Sequence, residues 1–276
     1  WFWKWGVAPA AMSPSKCLFR RPISICSGAM PTFNSGGVTI AYETAGQGPP
    51  ILLVHGFAST ARVNWWGTGW VKTLADAGRM VITFDHRGHG ESEKLYDPAL
   101  YPAAEMAEDA RRLLDHLGII QADVMGYSMG ARVSALLAIR HPGRVRRAVL
   151  AGLASRMITG VGGAEAIARA LEARAKDDVA DPGARAFRIF AEQTKSDLKA
   201  LAACIRSSRE KITAEELGKI SVPVLVVAGE KDDVAGDVET LVRAIPGAKG
   251  VTLPGRNHMN AVGDRGYKDA VLAFLA

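Results

Sequence analysis

Short runs of apolar and β-branched residues, continuous rather than alternating, mark the strands that this chain predicts. They are Ile51–Val54, Met80–Phe84, the run ending at Gly126, Ala148–Gly152, Val222–Ala228 and Gly250–Leu253. A strand buried on both faces reads this way, and such strands belong to a mostly parallel sheet flanked by helices. Between Gly152 and Val222 the pattern becomes helical, with candidate helices over Gly163–Ala175, Ala184–Thr194 and Ser196–Arg209 and a breaker at Asp181-Pro182-Gly183. Thr213-Ala214-Glu215-Glu216 has the form of a capping box opening a short fourth helix. The expected class is therefore α/β. Residues 30–155 and 221–276 supply the core, and 156–220 form a helical insertion.

The chemistry sits where these strands end. Gly126-Tyr127-Ser128-Met129-Gly130 joins an apolar run to an alanine-rich helical pattern, the form of a nucleophile elbow. The strand-to-helix turn is too tight for a Cβ on either side of the serine, and the serine itself takes strained backbone angles. Such an elbow needs an acid and then a histidine later in the chain. Gly229-Glu230-Lys231-Asp232 leaves the end of one buried strand, and Pro254-Gly255-Arg256-Asn257-His258 leaves the end of the next. Asp232 is the expected acid and His258 the expected base. Asp233 is the neighbouring alternative, expected to point away. The elbow also needs an oxyanion hole, drawn from the backbone N–H of the residue after the nucleophile and one from an early loop. Those residues are Met129 and Phe57, the latter following His55-Gly56.

With Asp85-His86-Arg87-Gly88-His89-Gly90-Glu91-Ser92 added, these segments resemble the α/β-hydrolase superfamily from about Pro31 to the C-terminus, and in particular bacterial serine esterases with a small lid. The resemblance implies that the inserted helices form a lid over an apolar acyl pocket, with Trp65, Trp66 and Met157 as lining candidates. Phe187, Phe190 and Ile205 are read as packing between lid and core. It also implies hydrolysis of small-molecule carboxylic esters through an acyl-enzyme, with no cofactor. Carbon–carbon bond hydrolysis or lactone hydrolysis on the same triad is an alternative, although the carbon–carbon hydrolases usually have asparagine where this chain has Tyr127. A receptor that keeps the fold and signals through its lid is another.

Composition bounds the rest. The chain has 276 residues, 48% hydrophobic and 22% charged, enough for one large core with an insertion. The net charge of +6 falls to +2 without Lys4, Lys16, Arg20 and Arg21, all of which precede the first acidic residue, Glu43. The basic excess thus belongs to the first residues, and no nucleic-acid partner is expected. No apolar run approaches a membrane span. Cys17, Cys26 and Cys204 are too dispersed for a disulfide framework, which points to a reducing, cytoplasmic setting. Residues 1–29 are expected to be a disordered or non-native extension; a targeting presequence is the alternative, opposed by an apolar stretch confined to Gly6–Met12. Among the other histidines, His116 and His141 fall near helix ends, His55 is expected to brace the oxyanion loop, and His86 and His89 to lie near the site. A metal held by His86, His89 and Asp85 lacks a defined ligand set, and no metal is expected.

Overall fold

The computed structural model describes residues 30–276; the expectations for residues 1–29 lie outside it. Eight strands form one sheet: β1 (Thr32–Ser35), β2 (Val38–Ala45), β3 (Pro50–Val54), β4 (Met80–Phe84), β5 (Ala122–Tyr127), β6 (Val145–Ala151), β7 (Val224–Gly229) and β8 (Lys249–Leu253). Their spatial order is β1-β2-β4-β3-β5-β6-β7-β8. β1 and β2 are antiparallel to their neighbours and every later pairing is parallel.

Alternation along each strand builds two separate cores. Leu52, Val54, Ile82, Val124 and Val226 point to one face, where they meet α2 (Ala103–His116) and α3 (Met129–Arg140). Ile51, Leu53, Val81, Met125 and Val227 point to the other, covered by α1 (Trp70–Asp76) and α10 (Arg265–Leu275). Because both faces are covered, the central strands carry apolar residues at successive positions.

The crossover from β6 to β7 carries α4 (Arg156–Thr159), α5 (Ala164–Glu172), α6 (Pro182–Gln193), α7 (Leu198–Ser207) and α8 (Ala214–Leu217), and α9 (Val238–Ala244) follows β7. Asp181-Pro182-Gly183 opens α6 instead of merely breaking the chain. The Asp181 carboxylate accepts the Ala184 N–H at 2.7 Å, and Pro182 occupies a first-turn position that needs no N–H donor. Thr213 and Glu216 form the capping box of α8. Buried Arg188 ties α6 to the preceding helix by donating to the carbonyls of Ala170, Leu171 and Ala173 at the end of α5. These are the acceptors that a helix end leaves unpaired.

Candidate active site

Ser128 joins β5 to α3 with φ 56° and ψ −115°, a conformation that costs an L-residue energy and persists only under surrounding constraint. The constraint is visible. The Ser128 N–H donates to the Ala151 carbonyl at 2.7 Å, fastening the turn to β6. A Cβ at Gly130 would overlap the carbonyl oxygen of Val54, and one at Gly126 the carbonyl of Gly130. Both elbow glycines are therefore positions of close backbone approach.

Ser128 Oγ lies 3.1 Å from Nε2 of His258, and Nδ1 of His258 lies 2.9 and 3.0 Å from the two carboxylate oxygens of Asp232. Asp232 is 5% exposed, and its Oδ1 also accepts the N–H groups of Val234 and Ala235 at 3.1 and 2.9 Å. Asp233 is exposed. Tyr127 helps fix the loop that carries His258: its Oη donates to the His258 backbone carbonyl at 2.6 Å, and its ring lies 5.4 Å from the imidazole. Burial first, and then the Asp232 charge, push the Tyr127 phenol well above its ordinary range, so it stays a donor.

The backbone N–H groups of Phe57 and Met129 have no acceptor among the described residues, and both residues line the cavity that contains Ser128. Gly56 lies against the elbow, where a Cβ would come 3.4 Å from that of Ser128, and its N–H is held by Asn64 Oδ1 at 3.0 Å. Asn64 comes from a π-type turn, Arg62–Trp66.

That turn also corrects the expected pocket. It buries Trp65 in the core on the opposite face of the sheet and leaves Trp66 38% exposed on the surface. Met157, on α4, is fully buried in the core and does not line the cavity. The lining comes instead from Leu153, Val161, Phe187, Ile205 and Val234, with Ser208 and two arginines, Arg132 and Arg209. Phe187 and Ile205, expected only to pack, face the serine. The cavity measures about 30 Å³, room for one or two waters.

The arginines escaped sequence reading. A signal for Arg132 did exist: it falls one turn after Ser128 and is the one charged residue before the last position of α3. Burial lowers each guanidinium from its usual range to about 10, and for Arg132 the charge of Arg209 adds to the effect.

His55, His86 and His89 do not reach the cavity. All three are fully buried and stacked edge to face, with ring centroids 4.6 Å apart for His55–His86 and 5.3 Å for His55–His89. His55 braces the loop before Phe57, through Nδ1 to the Gly56 carbonyl at 2.8 Å and through Nε2, which accepts the His86 N–H at 3.0 Å. The Asp85 carboxylate accepts the Ala61 and Glu91 N–H groups at 2.7 and 2.9 Å, pinning two loops together.

A mostly parallel sheet, a strained serine between β5 and α3, and an acid and a histidine after β7 and β8 define a class of hydrolase. The chain belongs to the α/β-hydrolase family, whose model for the alpha/beta hydrolase fold matches residues 49–183. It is 30% identical over 220 residues to 3-oxoadipate enol-lactonase 2 of Acinetobacter baylyi, an alignment covering 74% of this chain and 79% of that one. It is 42% identical over 107 residues to 2-hydroxymuconate semialdehyde hydrolase of Pseudomonas putida, which covers 39% of this chain and only 37% of that relative. The crystal structure of a hydrolase from Pseudomonas aeruginosa superposes with a TM-score of 0.76 at 28% identity, over 91% of this chain and 99% of the other. Among the described residues, no helix is long and apolar enough to cross a membrane.

Proposed function

We propose that the protein hydrolyses small-molecule carboxylic esters of small to medium acyl chain through Ser128, His258 and Asp232. The observation that carries this reading is the unbroken chain of contacts from Ser128 Oγ through His258 to Asp232. His258 Nε2 takes the serine proton as Oγ attacks the carbonyl, and Asp232 holds the opposite nitrogen as the N–H donor and stabilises the imidazolium. The free N–H groups of Phe57 and Met129 receive the oxyanion. His258 then returns the proton to the departing alcohol, and a water activated by the same imidazole clears the acyl-enzyme. Residues 156–220 act as a lid that excludes bulk water. No step calls for a cofactor.

A lactone is the second reading, favoured by the enol-lactonase relative, which aligns over most of its own length. It uses the same attack, with the alcohol retained in the acyl-enzyme until hydrolysis. A panel of p-nitrophenyl esters of rising acyl length, run with Ser128→Ala, tests the shared mechanism. The expected result is multiple turnover with short chains and a loss of about 10⁴-fold in the variant. More than a tenth of wild-type kcat in verified Ser128→Ala would remove Ser128 as nucleophile, and turnover limited to about one equivalent would indicate a receptor. A rise through long chains with a jump at an oil interface would indicate a lipase.

A further inference from the structure

The cavity at Ser128 is lined by two arginines to which no described residue supplies an ion-pair partner. Arg132 is 2% exposed, and its one hydrogen bond among the described residues goes from Nη1 to the backbone carbonyl of Glu210. Arg209 donates from Nη1 to the carbonyls of Val161 and Gly162, and its guanidinium lies 5.8 Å from the centre of the Phe187 ring. Neither buried Arg132 nor half-buried Arg209 has an ion-pair partner among the described residues, whereas the other buried arginines do: Arg87 is paired with Asp109, and Arg188 with Glu192. Glu210 is the one carboxylate whose charge reaches Arg132, and it is an exposed residue. Both arginines line the same cavity, where like charges repel.

The position of Arg132 makes the omission costlier. It lies in the first turn and a half of α3, where the helix presents its positive end and favours anions. A buried cation there, beside a second cation and without a carboxylate, is destabilising for the empty protein. Packing does not require it, since a methionine or leucine would fill similar volume without a charge. The arrangement becomes favourable when an anion enters, because a guanidinium offers a planar fork of donors that matches a carboxylate. Phe57, Met129, Arg132 and Arg209 all border one small cavity. An anion held there belongs to the molecule whose carbonyl faces Ser128.

We infer that the substrate carries its own carboxylate: a half-ester of a short dicarboxylic acid, or a lactone bearing a carboxylate, with the free acid group seated between Arg132 and Arg209. The inference rests on Ser128 as the nucleophile of the proposed function and adds what decides among its substrates. The same fork would also meet the product, so a short dicarboxylate is expected to inhibit.

Monomethyl glutarate and methyl pentanoate, matched in chain length and differing in the terminal charge, test it by methanol release. The wild-type protein is expected to prefer the half-ester in kcat/KM by about tenfold or more, with glutarate competing against p-nitrophenyl acetate. The ratio of the two kcat/KM values is expected to fall about 10- to 100-fold in Arg132→Met and in Arg209→Met, and less in Arg209→Lys. Using the ratio removes any general loss of turnover, and the less buried Arg209 serves if Arg132→Met does not fold. A wild-type ratio near one, or a ratio that survives both Arg209→Met and a folded Arg132→Met, would overturn the inference while leaving ester hydrolysis intact. Failure to turn over p-nitrophenyl acetate as well as both methyl esters would instead overturn the proposed function.

Discussion

Acid should unfold this protein earlier than its carboxylates alone would. Burial lowers His55 to about 4 and His89 to about 3, and lowers His86 well below the ordinary 6.5, aided by the charges of its two neighbours. The hydrogen bonds explain why each ring stays neutral. His55 Nε2 accepts the His86 N–H, while His86 Nδ1 and His89 Nε2 are buried with no partner, so an added proton displaces a bond or points at nothing. Because the folded values lie below the unfolded one, the unfolded chain takes up protons first. Stability is complete above pH 6.5 and is lost as pH falls toward 4 and 3. At pH 5, about 1.5 units below the unfolded value at about 1.4 kcal/mol per unit, His55 and His89 each remove about 2 kcal/mol. Together they remove about 4 kcal/mol from a total expected at about 5–15, and His86 acts in the same direction. Urea unfolding followed by tryptophan fluorescence between pH 8 and 5 measures this. The slope of unfolding free energy against pH should correspond to two to three protons below pH 6, and His89→Gln should reduce it by about one. An unfolding free energy at pH 5 within about 1 kcal/mol of that at pH 8 would refute the account.

Asp232→Asn should leave melting nearly unchanged but lower kcat by orders of magnitude, by about 10⁴-fold where the wrong imidazole tautomer results, while exposed Asp233→Asn should cost little; paired kinetics with thermal melts check both, and the reverse pattern would transfer the role to Asp233. Tyr127→Phe removes the 2.6 Å hydrogen bond to the His258 carbonyl and should lower kcat by up to about tenfold with KM nearly constant; an equal loss carried by KM would make the tyrosine a substrate contact. Phe187→Ala should lengthen the preferred acyl chain, each newly buried methylene adding about 0.8 kcal/mol, or about fourfold in kcat/KM; an unchanged chain-length profile would place the acyl group elsewhere.

The central strands were legible because burial on both faces writes continuous apolar runs, as in Leu52–Val54 and Val224–Ala228. β1 and β2 were not legible. They are antiparallel strands at the margin of the sheet, and β1 runs Thr-Phe-Asn-Ser with alternate residues buried, too short a pattern to stand out. α4 is a single turn and left no periodic trace. The sequence separates Ser128, Asp232 and His258 widely, yet each follows a readable strand, so their proximity could be expected from topology. The pocket could not be read that way. Trp65 and Trp66 are adjacent and large, but a π-type turn sends one into the far core and the other to solvent. Arg132 stands one turn after Ser128 and could be noticed there, but what distinguishes it and Arg209 is the partner each lacks among the described residues, and a missing tertiary contact has no signature in sequence.

His258 follows β8, the last strand, which among the described residues pairs only with β7 and is largely exposed along its length. Ser128, by contrast, rises from the middle of the sheet, with strands bonded on both sides of β5. The proposed nucleophile and base therefore inherit unequal local stability, because an edge strand opens at a smaller free energy than a central one. Heat would first loosen His258 from a serine still rigidly held, so the proposed catalysis would fail while most of the sheet remains folded. The working life of the protein would then be governed by the attachment of one marginal strand and not by the melting of its core.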